Sequence, residues 1–171
     1  SSFDGNIPSE ISYLSNLVSL DLSSSSYGLQ LDQKTFETLL QNFTKLEVLS
    51  LYSVNISSPI PMNLSSSLRY VDLQSTGLQG TLTKSFFVLP NLEMLNLGFN
   101  DIYGQLPDSI GTLKSLNYLY LFRCAFSGSI PDSVGNLTQI RQLDFSKNNF
   151  TSHIPSTISK LKKLARLYLS S

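Results

Sequence analysis

Apolar residues recur along the chain in a short frame, L-x-x-L-x-L, that opens at Leu17, Leu46, Leu68, Leu92, Leu116, Ile140 and Leu164. From Leu92 through Leu116 and Ile140 to Leu164 the frames stand 24 residues apart, a register that chance does not hold at three apolar positions. Within each frame the L-x-L core alternates as a strand does, so its leucines point inward and the intervening residues face solvent. One such unit cannot bury both flanks of its leucines. Stacked units can, and the pattern predicts a quasi-one-dimensional coil that adds one parallel strand per repeat through right-handed crossovers. Eight places after each frame start stand Asn100 and Asn148, whose amides can pair with backbone groups left open where the chain turns off the sheet. Ser25, Thr76 and Cys124 are weaker substitutes at that place, and Val54, with no polar group, predicts a water or a distorted turn.

A second pattern follows in each unit. It reads Gly104-Gln105-Leu106-Pro107 and Gly128-Ser129-Ile130-Pro131, with relatives at Asn6-Ile7-Pro8, Ile60-Pro61 and Ile154-Pro155. Glycine permits a tight bend and proline fixes φ, so an extended segment should pass into a short helical turn on the convex side. The pairs Ile110/Leu113, Val134/Leu137 and Ile158/Leu161 would close the core from that side. Two intervals depart from the period. Between Leu17 and Leu46 there are five extra residues, and Phe36, Leu39, Leu40 and Phe43 fall at i, i+3, i+4 and i+7, which predicts about two turns of α-helix over 33–42 with Asp32 as N-cap. The interval from Leu46 to Leu68 is two residues short and carries Ser65, Ser66 and Ser67, which predicts a tighter convex loop.

The 20 to 29 residue period with x-x-N/C-x-L after the frame is the mark of leucine-rich repeats. The G-x-I-P stretch resembles the plant-specific type. The expected fold is therefore an α/β leucine-rich-repeat solenoid over residues 1–171, with a parallel sheet on the concave face and short helices, 3-10 turns and loops on the convex face. Neither end shows a polar cap, so the isolated stretch is expected to fold marginally. Taken with Phe3-Asp4-Gly5-Asn6-Ile7-Pro8, Tyr27-Gly28-Leu29 and Leu106-Pro107-Asp108-Ser109-Ile110-Gly111, the whole chain resembles the ectodomain of plant disease-resistance receptor-like proteins of the Cf type. That resemblance implies a cell-surface glycoprotein with a single membrane anchor outside this stretch, signalling through a partner receptor kinase.

Composition narrows the partners. Twelve basic and twelve acidic residues cancel, so no long-range positive field favours nucleic acid or an anionic membrane. Cys124 is a single cysteine, and no disulfide can form within the chain. Neither a secretion signal nor an apolar run of membrane-spanning length is present in the stretch. Five N-x-S/T sequons, at Asn42, Asn55, Asn63, Asn136 and Asn149, point to the extracellular side and fall off the strand faces. Catalytic chemistry has few candidates. His153 lies in a convex Ser152-His153-Ile154-Pro155 turn, Cys124 takes a structural position, and Asp21, Asp72 and Asp144 share a strand register that is ordinary for L-D-L-S. No enzyme activity, metal or other cofactor is expected.

Comparison among the repeats singles out the frame at Leu116. Where other frames read Leu20-Asp21-Leu22-Ser23 or Leu143-Asp144-Phe145-Ser146, this one reads Leu119-Tyr120-Leu121-Phe122, with Tyr118 and Arg123 beside it. Neighbouring frames add Tyr52, Tyr70, Met94, Phe99 and Tyr168, with Arg141 and Arg166 at the edge. Strands spaced about 4.8 Å apart would gather these side chains into one solvent-facing, ligand-binding patch rich in the residue types of interface hot spots. Same-face stacking of tyrosines for stability is the structural alternative. The expected function is recognition of a protein or peptide ligand in defence signalling. A secreted inhibitor of cell-wall-degrading enzymes and an intracellular repeat scaffold are the alternatives, the latter disfavoured by the sequons and the G-x-I-P motif.

Overall fold

A computed structural model describes residues 3–24, 28–151 and 153–170. Ser25, Tyr27 and Ser152, which carry parts of the repeat pattern, lie outside the described residues. Each frame contributes one three-residue strand: β1 Ser19–Asp21, β2 Val48–Ser50, β3 Tyr70–Asp72, β4 Met94–Asn96, β5 Tyr118–Tyr120, β6 Gln142–Asp144 and β7 Arg166–Tyr168. They pair in parallel and in sequence order into one seven-stranded sheet, the concave face. The register is one-to-one across all of it, so Leu20, Leu49, Val71, Leu95, Leu119, Leu143 and Leu167 form a single inward row.

Frame leucines of the five inner repeats are almost fully buried, as at Leu92, Leu95, Leu97, Leu116, Leu119 and Leu121. Those at the two ends are not. Leu17, Leu22, Leu164 and Leu169 are half-buried, and Leu167 is 39% exposed. The G-x-I-P motif forms the expected second layer of short strands, of which Gln79–Gly80, Asp101–Gln105, Ala125–Gly128 and Asn149–Phe150 make one parallel sheet. Gly104 and Gly128 hold φ of 84° and 73° there, a left-handed backbone that costs glycine nothing. After the prolines come convex 3-10 turns, Asp108–Thr112, Asp132–Asn136 and Ser156–Lys160. Ile110, Leu113, Val134, Leu137 and Leu161 are buried beneath them, and Ile158 is partly so.

Both irregular intervals are resolved as local changes on the convex side. α1 runs Gln33–Asn42, with the Asp32 carboxylate accepting from Thr35 N–H at 3.0 Å and burying Phe36, Leu39 and Leu40. In the short interval the convex side has no helix. Ser67 Oγ instead donates to Leu46 O at 2.6 Å, and Pro59 bridges to Gln79.

The polar ladder behaves as its chemistry requires. Asn100 Nδ2 donates to Leu73 O, Leu97 O and Gly98 O, and its Oδ1 accepts from Thr76 N–H and Leu78 N–H. Asn148 repeats the arrangement with Leu121 O, Phe145 O and Phe126 N–H. Thr76 Oγ1 donates to Leu73 O, and Cys124 Sγ to Leu97 O and, at 3.9 Å, Phe122 O. At Val54 the expected distortion is absent. Its N–H closes on Leu51 O at 3.0 Å, and Ser53 just before it has φ 60°, the same left-handed step taken by Ser75, Phe99, Arg123 and Lys147 in the other four inner repeats. Backbone geometry alone makes this turn, and the side-chain amide secures it.

Candidate ligand-recognition face

Two rows of side chains project from the concave sheet, and a third, Ser23, Tyr52, Gln74, Gly98, Phe122, Ser146 and Ser170, follows at its exit. The first runs Ser19, Val48, Tyr70, Met94, Tyr118, Gln142, Arg166, and the second Asp21, Ser50, Asp72, Asn96, Tyr120, Asp144, Tyr168. The aspartates of the second row have a structural task. Asp21, Asp72, Asn96 and Asp144 each accept, at about 3 Å, the N–H of the residue two further on: Ser23, Gln74, Gly98 and Ser146. The carboxylates thus cap the strand exits. They do not form an acidic column, because Ser50 separates Asp21 from Asp72, and Asn96 and Tyr120 separate Asp72 from Asp144. Burial raises the Asp72 pKa above the usual carboxylate range, while the hydroxyl and backbone N–H of Ser23 hold Asp21 below it.

Strand β5 abandons that capping group. Tyr120 takes its place and stacks on Tyr118, with centroids 6.5 Å apart and planes within 12°. Tyr118 is the register partner of Met94, and Met94 of Tyr70, so Tyr70, Met94, Tyr118 and Tyr120 form one continuous half-exposed strip. Burial raises the Tyr120 pKa. Tyr70 donates to Glu93 Oε2 at 2.9 Å, and Glu93 also pairs with Arg69. Those two donors lower the Glu93 pKa, and the carboxylate raises that of Tyr70.

Beyond Tyr120 lies a second aromatic group at the sheet exit. Phe122 is half-buried against the previous repeat. A methyl group at Gly98 would come within 2.6 Å of its ring, so the ring lies on the Gly98 backbone. Its edge meets Phe99 at 5.1 Å between centroids, and the Arg123 guanidinium sits 4.9 Å from the Phe99 centroid, a cation–π distance. Phe99 is 42% exposed. The expectation that Phe122 faces solvent freely is therefore corrected: glycine in the preceding frame gives the ring a seat.

Not all eleven residues of the expected patch come together. Tyr52 is separated from Phe122 by the Gln74 and Gly98 frames, and Tyr168 from Tyr120 by Asp144. Arg166 flanks the strip at β7, and Arg141 lies one step before β6 on the sheet's opposite margin. All five sequon asparagines are exposed, and Asn42 Nδ2 donates to Ser12 O at 3.0 Å. Repeat comparison did not point to Gly98, Arg69 or Glu93. The signal for Gly98 was present, as a glycine at the place where the next frame has its phenylalanine.

His153 lines a convex groove of about 760 Å³ with Leu106, Asp108, Ile130 and Asp132. Among the described residues no group of three or more histidine, cysteine or acidic side chains could hold a metal ion, and no helix is long and apolar enough to cross a membrane. Burial pushes the Cys124 thiol up to about 11.

Residues 29–171 match the family described as "Leucine-rich repeat region". The chain belongs to that family. This leucine-rich-repeat stretch is 49% identical over 96 residues to Receptor-like protein 9DC1, and 49% identical over 94 residues to Receptor-like protein Cf-9, both of Solanum pimpinellifolium. The matches cover 56% and 55% of the chain and 11% of either relative. The repeat stretch is thus of the plant receptor-like-protein type, and it spans about a ninth of those relatives' length. Among solved structures, "Plant peptide hormone receptor RGFR1 in complex with RGF2" superimposes with a TM-score of 0.85 at 34% identity, over 98% of this chain and 26% of that one.

Proposed function

We propose that the leucine-rich-repeat stretch recognises a peptide or protein ligand on the extracellular side of the plasma membrane, as part of a receptor-like protein that signals in defence through a partner receptor kinase. The observation that carries this reading is β5. Every other inner strand except β2 keeps a carboxylate or amide that caps its own exit, and β5 gives that group up for a tyrosine that adds exposed aromatic surface beside Tyr118 and Met94. Unlike Ser50 on β2, which also lacks the cap, Tyr120 adds a large half-exposed side chain in its place, which supports a role in contact with a ligand. The RGFR1 neighbour is a peptide receptor by its own description, and the Cf-9 likeness supports the defence role. On this reading the sheet binds and does not catalyse. Glycans on Asn42, Asn55, Asn63, Asn136 and Asn149 would stand on the convex side and flanks, leaving the sheet open.

A displayed library of random twelve-residue peptides, selected on the chain fused at both ends to polar capping repeats, tests the proposal. Changing Tyr118→Gln and Tyr120→Asn gives β5 residue types already accepted at Gln142 and Asn96, so the fold should persist by circular dichroism. A hot-spot pair worth about 2 kcal/mol or more implies at least a roughly thirtyfold loss of affinity for the selected peptides. Peptides that bind the double variant as well as the parent would sink the proposal.

A further inference from the structure

Charge is neutral in sum but not in distribution. Residues 1–113 carry ten acidic and four basic side chains, whereas residues 114–171 carry two acidic and eight basic ones. The chain adds one strand after another along its axis, so this division becomes a spatial one: net −6 over β1 to β4 and net +6 over β5 to β7. On the sheet side the acidic part holds Asp21, Glu47, Asp72 and Glu93 against Arg69, and the basic part Arg123, Arg141 and Arg166 against Asp144.

The two halves differ in pairing as well. In the acidic part Arg69 pairs with Glu47 and Glu93. Arg123 instead stacks on Phe99, Arg166 contacts the neutral Gln142 Oε1 at 3.4 Å, and Arg141 is exposed. Arg166 stands on β7, two strands from Tyr118, Arg123 at the sheet exit after Phe122, and Arg141 at the entry margin before β6. At a Debye length of about 8 Å in physiological salt, a ligand lying on the sheet feels the near charges and little else. Its acidic groups are drawn to the three arginines of β5–β7, which outnumber the Asp144 carboxylate there, and are disfavoured over β1–β4, where Asp21, Glu47, Asp72 and Glu93 outnumber Arg69. Complementary charge sets partner choice and register more than raw affinity, and like charge enforces the direction.

Resting on the ligand-recognition reading above, we infer that the occupant of this face is an extended acidic peptide segment, laid across the strands with aromatic or aliphatic side chains on the Tyr70–Met94–Tyr118–Tyr120 strip and its Asp or Glu side chains over Arg123, Arg141 and Arg166. Spacing follows from the sheet. Strands about 4.8 Å apart and an extended chain rising about 3.3 Å per residue place the acidic cluster roughly three to five residues from the apolar one.

The same peptide library tests it, with both ends of each peptide blocked so that acidic charge comes from side chains alone. Selected sequences should be enriched in Asp and Glu on one side of an apolar cluster. Binding should weaken at least about tenfold for Arg141→Gln/Arg166→Gln, be retained in Arg141→Lys/Arg166→Lys, and fall as salt is raised. Arg123→Gln is measured apart from this pair, because Arg123 also packs on Phe99. Apolar peptides without acidic bias that are lost on Tyr118→Gln/Tyr120→Asn would overturn the acidic-segment inference and leave the recognition reading standing. Peptides indifferent to both the arginines and the tyrosines would overturn both.

Discussion

The seat of Phe122 on Gly98 can be measured as a coupling between two repeats. Gly98 lies outside the positive-φ residues, so alanine there meets no backbone strain, and on entropy grounds alone the change should stabilise by about 0.4–1 kcal/mol. In the native structure, however, the new methyl would stand 2.6, 2.8 and 2.9 Å from three ring atoms of Phe122. The ring must swing away, forfeiting its edge contact with Phe99, worth about 0.5–1.5 kcal/mol, and part of its burial. Gly98→Ala should then destabilise by roughly 0.5–1.5 kcal/mol in the parent. In a Phe122→Ser background, which places at 122 the residue found at Ser146 one repeat later, nothing occupies the methyl's space and Gly98→Ala should stabilise. The double-mutant cycle therefore predicts a coupling of roughly 1–2.5 kcal/mol with a change of sign. Urea unfolding of the four proteins, followed by circular dichroism, reads it. An equal effect of Gly98→Ala in both backgrounds would show that the ring does not rest on the glycine.

Two other outcomes are expected. Asn100→Ala leaves Thr76 N–H and Leu78 N–H without a partner in a buried site, while Leu73 O, Leu97 O and Gly98 O keep Thr76 Oγ1, Cys124 Sγ and Ser75 N–H; at about 1–3 kcal/mol per unsatisfied group, denaturant melts should show a loss of about 2–6 kcal/mol, and a loss under about 1 would mean that water replaces the amide. Cys124, with its thiol pushed up to about 11, should resist alkylation at pH 8 until the chain unfolds. Since the native state holds that proton where the unfolded thiolate has lost it, stability should fall as pH rises from about 9 to 11, and Cys124→Ala should abolish that part of the pH dependence.

What could be read in advance was whatever depends on periodicity within one repeat. The i, i+3, i+4, i+7 spacing of Phe36, Leu39, Leu40 and Phe43 and the Asp32 cap located α1 to the residue, because an amphipathic helix and its N-cap are local signals. The seven strands followed from leucine spacing for the same reason. Contacts between repeats were less legible. Phe122 was expected to point freely to solvent because its own frame offers no hint that the preceding one supplies a glycine floor. Tyr52 and Tyr168 share rows with the aromatic strip, yet Gln74 and Asp144 interrupt those rows, an effect visible only after the frames are aligned side by side. Val54 was misjudged because its turn depends on the left-handed backbone of Ser53 more than on a polar side chain.

That left-handed step has an evolutionary consequence. Ser53, Ser75, Phe99, Arg123 and Lys147 all adopt it, and each carries a cost of about 1–2 kcal/mol that glycine would avoid. The cost is set by possession of a Cβ and depends little on what lies beyond it. Exchange of serine for phenylalanine, arginine or lysine at this place thus leaves the backbone account nearly unchanged while altering what stands at the exit of the concave sheet. Each of the five inner repeats carries one such site, in the same register, and its side chain can be exchanged without rebuilding the solenoid beneath it.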